Sequence, residues 1–250
     1  MANATELRRL ALVLAIMLAA ASAGSAQTAE GIRKQLAAAS SGLRDLKGVM
    51  VVKPASRSNA GEINKGVLQF LDYGFREASI AYKRPDKFRA EGKAKGLDIV
   101  YVVNGNKKQI IAPAIMLKKT DDLTNERDKK QSALDVGFAS DSLWADNSVK
   151  LISVSKGVAK LQLVPRGTRD KRKELVWLDS RTLKVLKRER YTGAGKLKAR
   201  YVYSGHRMMG RMPVATLVRA YAPDGGYAGS ISYKNLQVNT GLPDSLFAIK

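Results

Sequence analysis

The chain has 250 residues, 44 of them basic against 22 acidic, for a net charge of +22. Lacking cysteine, it can form no disulfide, no thiolate metal site, no cysteine nucleophile and no cysteine lipid anchor. Its 45% apolar content suffices for one sizeable core, and its positive field admits anionic lipid headgroups, lipopolysaccharide, acidic proteins or nucleic acid as partners.

Arg8 and Arg9 precede an apolar, alanine-rich stretch over residues 10–23 and the small residues Gly24-Ser25-Ala26. This pattern predicts a cleavable secretory signal over residues 1–26, with cleavage after Ala26 or at the second small-residue site Ala21-Ser22-Ala23 slightly upstream, and one domain over residues 27–250. The stretch is shorter than the roughly 20 strongly apolar residues of a membrane span and is diluted by alanine. A soluble exported protein is the expected product.

From Thr28 to Ser41 the spacing of Ile32, Leu36 and Ala39 predicts a helix with Thr28 as N-cap, ended by Gly42. The period then changes to two. Strands are predicted over 49–52, 67–73, 78–82, 88–91, 97–103 and 109–112. Asn104-Gly105 between the last two predicts a hairpin of type I′, which needs positive φ at both central residues. The highly charged residues 118–138 break the pattern; they predict a surface helix over 121–134 and, with a second helical turn over 141–145, a lid.

Seven further strands are predicted over 149–154, 158–164, 175–178, 183–191, 197–203, 214–221 and 227–238, with turn chemistry at the joints. Over 196–203 the faces separate, Lys196, Lys198 and Arg200 on one side and Leu197, Ala199, Tyr201 and Tyr203 on the other. So many antiparallel strands curl rather than lie flat. The predicted fold is α+β, mostly β: an incomplete, half-open antiparallel barrel of about 11 to 12 strands with an N-terminal helix and a helical lid.

Catalytic chemistry is sparse. The single histidine, His206, has Ser204 and Asp224 as possible triad partners, but no Gly-x-Ser-x-Gly elbow accompanies them, so no enzyme is expected. Asp121-Asp122 and Asp141 with Asp146 lack calcium-loop spacing, and no metal or cofactor is expected. Gly225-Gly226-Tyr227-Ala228-Gly229 joins strands and opens no helix, so it is a hairpin and not a phosphate loop. Strand alternation sets Tyr201 and Tyr203 opposite Arg200, against nucleic-acid stacking; no nucleic-acid partner is expected.

The order of certain segments carries a resemblance. These are the amphipathic start near Ile32, Lys83-Arg84-Pro85-Asp86-Lys87-Phe88, the apolar strands through Val103-Asn104-Gly105, Leu161-Gln162-Leu163-Val164-Pro165, Val176-Trp177-Leu178-Asp179, and the ending Tyr233-Lys234-Asn235-Leu236-Gln237-Val238-Asn239 with Leu242-Pro243-Asp244-Ser245-Leu246-Phe247. Together they resemble the LolA-like family of periplasmic outer-membrane lipoprotein-sorting carriers, over essentially the whole mature chain. The resemblance implies a periplasmic, monomeric carrier of lipoprotein or lipid acyl chains between an inner-membrane donor and an outer-membrane acceptor.

It also implies that Arg84, the arginine of the Arg-Pro step, gates the lid and takes part in cargo transfer. Phe88 falls near the cavity mouth, and Tyr73, Phe75, Tyr82, Tyr101, Trp177, Tyr201 and Tyr203 are expected in or around the interior. An envelope sensor that binds a regulatory partner, and a basic surface protein that binds polyanions, are the alternatives. This chain is longer and more basic than the simplest members, and its segment 118–138 is too charged to match a lid residue by residue.

Overall fold

The computed structural model describes residues 27–63, 76–126, 130, 132–167 and 171–249. The predicted signal, the predicted strand 67–73, Tyr73 and Phe75 lie outside the described residues. Helix α1 (Ala29–Ser40) begins where expected: the Thr28 hydroxyl accepts from the Gly31 N–H at 3.0 Å, capping one otherwise unpaired donor. Its buried residues Ile32, Leu36 and Ala39 form the stripe that period 3.6 dictates.

A two-residue period follows. Strands β1 (Asp45–Pro54), β2 (Glu77–Lys83), β3 (Lys87–Ala94), β4 (Leu97–Asn104), β5 (Lys107–Ala112) and β6 (Leu117–Asp122) come first, with the short helix α2 (Arg57–Ile63) after β1. A single helical turn, α3 (Leu143–Asp146), precedes β7 (Asn147–Ser155), β8 (Val158–Pro165), β9 (Lys173–Asp179), β10 (Val185–Tyr191) and β11 (Leu197–Ser204). The chain ends with β12 (Arg207–Met209), β13 (Met212–Val214), β14 (Leu217–Tyr221) and β15 (Tyr227–Val238).

Among the described residues, thirteen strands form one antiparallel sheet in the order β6-β5-β4-β3-β2-β1-β15-β14-β11-β10-β9-β8-β7, and β12 with β13 make a separate hairpin. Along each flank, strands adjacent in the sheet follow one another in the chain, apart from β11 and β14, between which the β12–β13 hairpin intervenes; at the centre the first strand pairs with the last from Leu46↔Val238 to Pro54↔Gly229. Edges β6 and β7 do not meet. The sheet is therefore open, as the half-open barrel requires, with more strands than the expected 11 to 12.

Two local expectations are corrected. The surface helix expected over 121–134 is not one: Asp121 and Asp122 end β6, and Ala133–Val136 is a 3-10 turn. Charges that looked like a solvated helical face are cross-strand partners on a sheet edge. Lys108 meets Asp121 at 2.8 Å, and the Gln109 amide donates to the Thr120 hydroxyl at 2.8 Å. The hairpin at Asn104-Gly105 forms, but Asn104 pairs with Lys107, so the turn residues are Gly105 and Asn106. Of these only Gly105 has positive φ (61°), the II′ pattern in place of I′.

The concave face carries the main core. There Ile32, Leu36, Leu46, Tyr82, Phe138, Leu161, Val176 and Val214 pack together, drawing α1 and the segment 132–146 onto the sheet. On the convex face Phe247 is buried with Ala81 and Val102, so the tail covers β2 to β4 from outside. Among the described residues no helix is long and apolar enough to cross a membrane.

Asp45 fastens that tail. Its carboxylate accepts from the N–H groups of Thr240 (2.7 Å), Gly241 (3.1 Å) and Leu242 (3.3 Å). Burial pushes the carboxyl up, but these bonds outweigh it and hold the group below the ordinary aspartate range. A depressed value stabilises the fold above the unfolded value near 4 and stops doing so as pH falls through the folded one. Asp45→Asn is therefore expected to lose about 1 to 2 kcal/mol at pH 7, with the gap closing in acid. Urea titrations across that range check it; a gap independent of pH would contradict the assignment.

Candidate functional site

Between the concave face, α2 and the 3-10 turn Ala133–Val136 lies a cavity of about 390 Å³. Its size lies within the roughly 300 to 1,000 Å³ of small-molecule sites. Alternation builds its wall: Met50 and Val52 of β1, Phe88 and Ala90 of β3, Ile99 and Tyr101 of β4, Tyr201 and Tyr203 of β11, Val218 and Ala220 of β14. Ala60 and Ile63 of α2 line one end with Lys53 and Pro54, and Leu134, Asp135 and Val136 line another part of the wall.

A charged cluster joins the 3-10 turn to the sheet. The Arg188 guanidinium grips Glu174 through Nε (2.7 Å) and Nη2 (2.8 Å) and reaches Asp135 through Nη1 at 2.7 Å. Arg190 Nε also meets Glu174, at 3.1 Å. Asp135 accepts from the Ser132 N–H and hydroxyl, closing a capping box, and its carbonyl accepts from the Tyr233 hydroxyl. Burial opposes the charges, but the two carboxylates keep Arg188 firmly protonated, and Arg188 and the Ser132 N–H keep Asp135 below the usual carboxylate range. Burial pushes the hydroxyls of Tyr101 and Tyr203 up, so both remain neutral beside the cavity.

Glycine fixes how the segment turns. Gly137 has φ +96°, and a Cβ there would sit 2.4 Å from the Ala215 carbonyl oxygen. The close approach lets the Ala215 N–H donate to the Gly137 carbonyl at 2.8 Å, tying segment to sheet.

The Lys83 to Phe88 segment serves both faces. Lys83 and Lys87 point outward to Asp244 of the tail, at 2.8 and 2.9 Å. Arg84 points inward, donating to the Ser40 carbonyl at the end of α1 and, at 2.9 Å, to Asp141 of the segment 132–146. The Arg84-Pro85 bond is cis. Asp86 meets Lys130 at 3.0 Å.

Phe88, Tyr101, Tyr201 and Tyr203 line the cavity, with Phe88 and Tyr101 edge to face at 6.0 Å between ring centres. Arg84 does not line it; it touches the far end of the segment whose other end does. Two expected interior aromatics sit elsewhere. Tyr82 is core, edge to face with Phe138 at 5.5 Å, its hydroxyl donating to the Pro85 carbonyl. Trp177 alternates with the buried Val176 and Leu178 and so faces outward, with Lys187 Nζ 3.6 Å and Lys160 Nζ 5.0 Å from its ring centre.

The candidate triad residues are bonded elsewhere. His206 Nε2 pairs with the Val185 carbonyl at 2.8 Å, the Ser204 hydroxyl accepts from Arg219, and Asp224 accepts from the Gly226 N–H. Asp121 and Asp122 engage Lys108 and Thr124, while Asp141 and Asp146 engage Arg84 and Lys130. Among the described residues no three acidic or histidine side chains gather as a metal site. Sequence reasoning missed Asp135, Glu174 and Arg188.

No family model and no curated relative matches the chain. Solved structures do. A LolA superfamily protein from Nitrosomonas europaea is 16% identical and superposes with a TM-score of 0.62, over 90% of this chain and 99% of its own. A domain from Vibrio parahaemolyticus described as an outer membrane lipoprotein-sorting protein domain is 15% identical, with a TM-score of 0.60 over 86% of this chain and 94% of its own. With its open antiparallel sheet curled around α1 and the segment 132–146, this chain has the LolA-like fold.

Proposed function

We propose that the protein is a periplasmic, non-enzymatic carrier that shelters lipoprotein or lipid acyl chains in the cavity and delivers them toward the outer membrane. The observation that carries this reading is the apolar wall of a cavity of about 390 Å³ inside a LolA-like sheet. Burying a methylene is worth about 0.8 kcal/mol, so ten of them contribute about 8 kcal/mol toward holding a chain out of water. The N-terminal signal pattern and the Vibrio domain's description agree with export and with a lipoprotein cargo.

Filling the cavity tests the reading. Ala220→Trp sets a large ring among Val52, Tyr201 and Ile231, and is expected to weaken binding of a fluorescent fatty-acyl probe at least about tenfold while the fold tolerates it. Trp177→Ala, on the convex face, is expected to leave binding unchanged. Equal affinity of wild type and Ala220→Trp would reject the cavity as the cargo site.

A further inference from the structure

The turn from β5 into β6, Pro113-Ala114-Ile115-Met116-Leu117, is exposed at every residue. Met116 sits at its tip in the left-handed region (φ 51°) and is 94% exposed; Ile115 is 59% and Leu117 41% exposed. Single apolar residues on a surface are ordinary, but three in succession on a projecting turn keep considerable apolar area in water. Lys118 and Lys119 follow at once, both exposed.

Lysines on β6 have a simpler reading, since they guard a sheet edge against further strand pairing. That explains the charges and leaves the apolar tip unexplained. The ladders place the tip. Ala112 pairs with Leu117, Val100 with Ile111, Gly92 with Ile99, Ala78 with Gly92 and Val51 with Glu77. The turn therefore lies at the same end of the sheet as Ile99 and Pro54, which line the cavity, and the exposed Lys53, Lys93 and Lys95 share that end.

We propose that this turn docks the protein on a bilayer surface rich in anionic headgroups. Ile115, Met116 and Leu117 enter the headgroup boundary, and Lys118 and Lys119, with Lys53, Lys93 and Lys95 at the same end of the sheet, meet lipid phosphates. Charge complementarity selects this occupant, because a second copy would bring the same lysines face to face on a chain of net charge +22. Docked this way, one end of the cavity stands near the lipid.

The absence of cysteine makes the test specific. Met116→Cys carries an environment-sensitive fluorophore at the tip, and Ser245→Cys carries it at the opposite end of β3 and β4. With phosphatidylglycerol-containing vesicles, the label at 116 is expected to shift to the blue and be quenched by lipid-borne nitroxides, while the label at 245 does neither. Lys118→Ala and Lys119→Ala are each expected to weaken the response roughly fivefold. No response at 116, equal responses at both positions, equal responses with neutral phosphatidylcholine vesicles, or a dimer abolished by Met116→Asp would overturn the proposal. These vesicles carry no cargo and the readout needs no occupied cavity, so failure here leaves the carrier reading standing.

Discussion

Arg188→Leu is expected to lower the unfolding free energy by about 3 kcal/mol at pH 7, several times what an exposed ion pair contributes. The reason is asymmetry: leucine removes the cation but leaves Glu174 and Asp135 beneath the sheet. Glu174 keeps Arg190 at 3.1 Å, and Asp135 keeps the Ser132 N–H at 2.8 Å. These remaining partners set the loss at the lower end of the range for a broken buried pair. Without its cation, Asp135 should release the 3-10 turn from the sheet, so the loss is coupled to the shape of the cavity.

The pH dependence has a definite sign. Arg188 helps to hold Asp135 below its ordinary value, so the stabilisation is complete above the unfolded carboxylate range and disappears as pH falls through the folded value. The difference between wild type and Arg188→Leu should therefore be widest near neutrality and shrink below about pH 4. Urea unfolding at neutral and acid pH measures it. A variant as stable as wild type would mean that the desolvation of three charges cancels their attraction, and that Gly137 with its apolar neighbours holds the segment instead.

Where period and turn chemistry agree, the fold was legible. Ile32, Leu36 and Ala39 announced α1, and the alternation from Lys196 to Tyr203 placed Tyr201 and Tyr203 inside. The charged cluster was hidden by a bulge. In β10 the register shifts between Val185 and Lys187, so Val185 and Arg188 both turn inward, which strict alternation forbids. Its partners are also distant in sequence: Asp135 reaches Arg188 across a separation of 53 residues. Composition misled in β6, since Lys118, Lys119, Asp121 and Asp122 satisfy a helix surface as readily as a guarded edge. Trp177 misled in another way. A large aromatic suggests an interior, but lysines on both neighbouring strands cover this ring from outside.

Arg84→Leu should leave the sheet folded and loosen what lies on it. The guanidinium bonds both the end of α1, through the Ser40 carbonyl, and Asp141 at 2.9 Å, reinforcing the longer bond of 3.3 Å from the Ser40 hydroxyl to Asp141. Leucine keeps the apolar stem and loses both bonds. Partial exposure discounts charge-assisted bonds of this kind to about 1 to 2 kcal/mol together. Opening of the segment should then become roughly tenfold more frequent, read as faster amide exchange confined to residues 133–146 and α1. Because Leu134 and Val136 of the same segment line the cavity, the loosened variant should also release a bound acyl probe faster. Arg84→Lys discriminates charge from geometry, since an ammonium can meet Asp141 but lacks the fork that reaches Ser40 at the same time. It should fall between the two. If Arg84→Leu exchanges and releases probe at wild-type rates, then the hold on the segment lies with its other ties, Asp135, Gly137 and the Ser40 hydroxyl on Asp141 among them, and Arg84 is a fastening for α1 and not a gate.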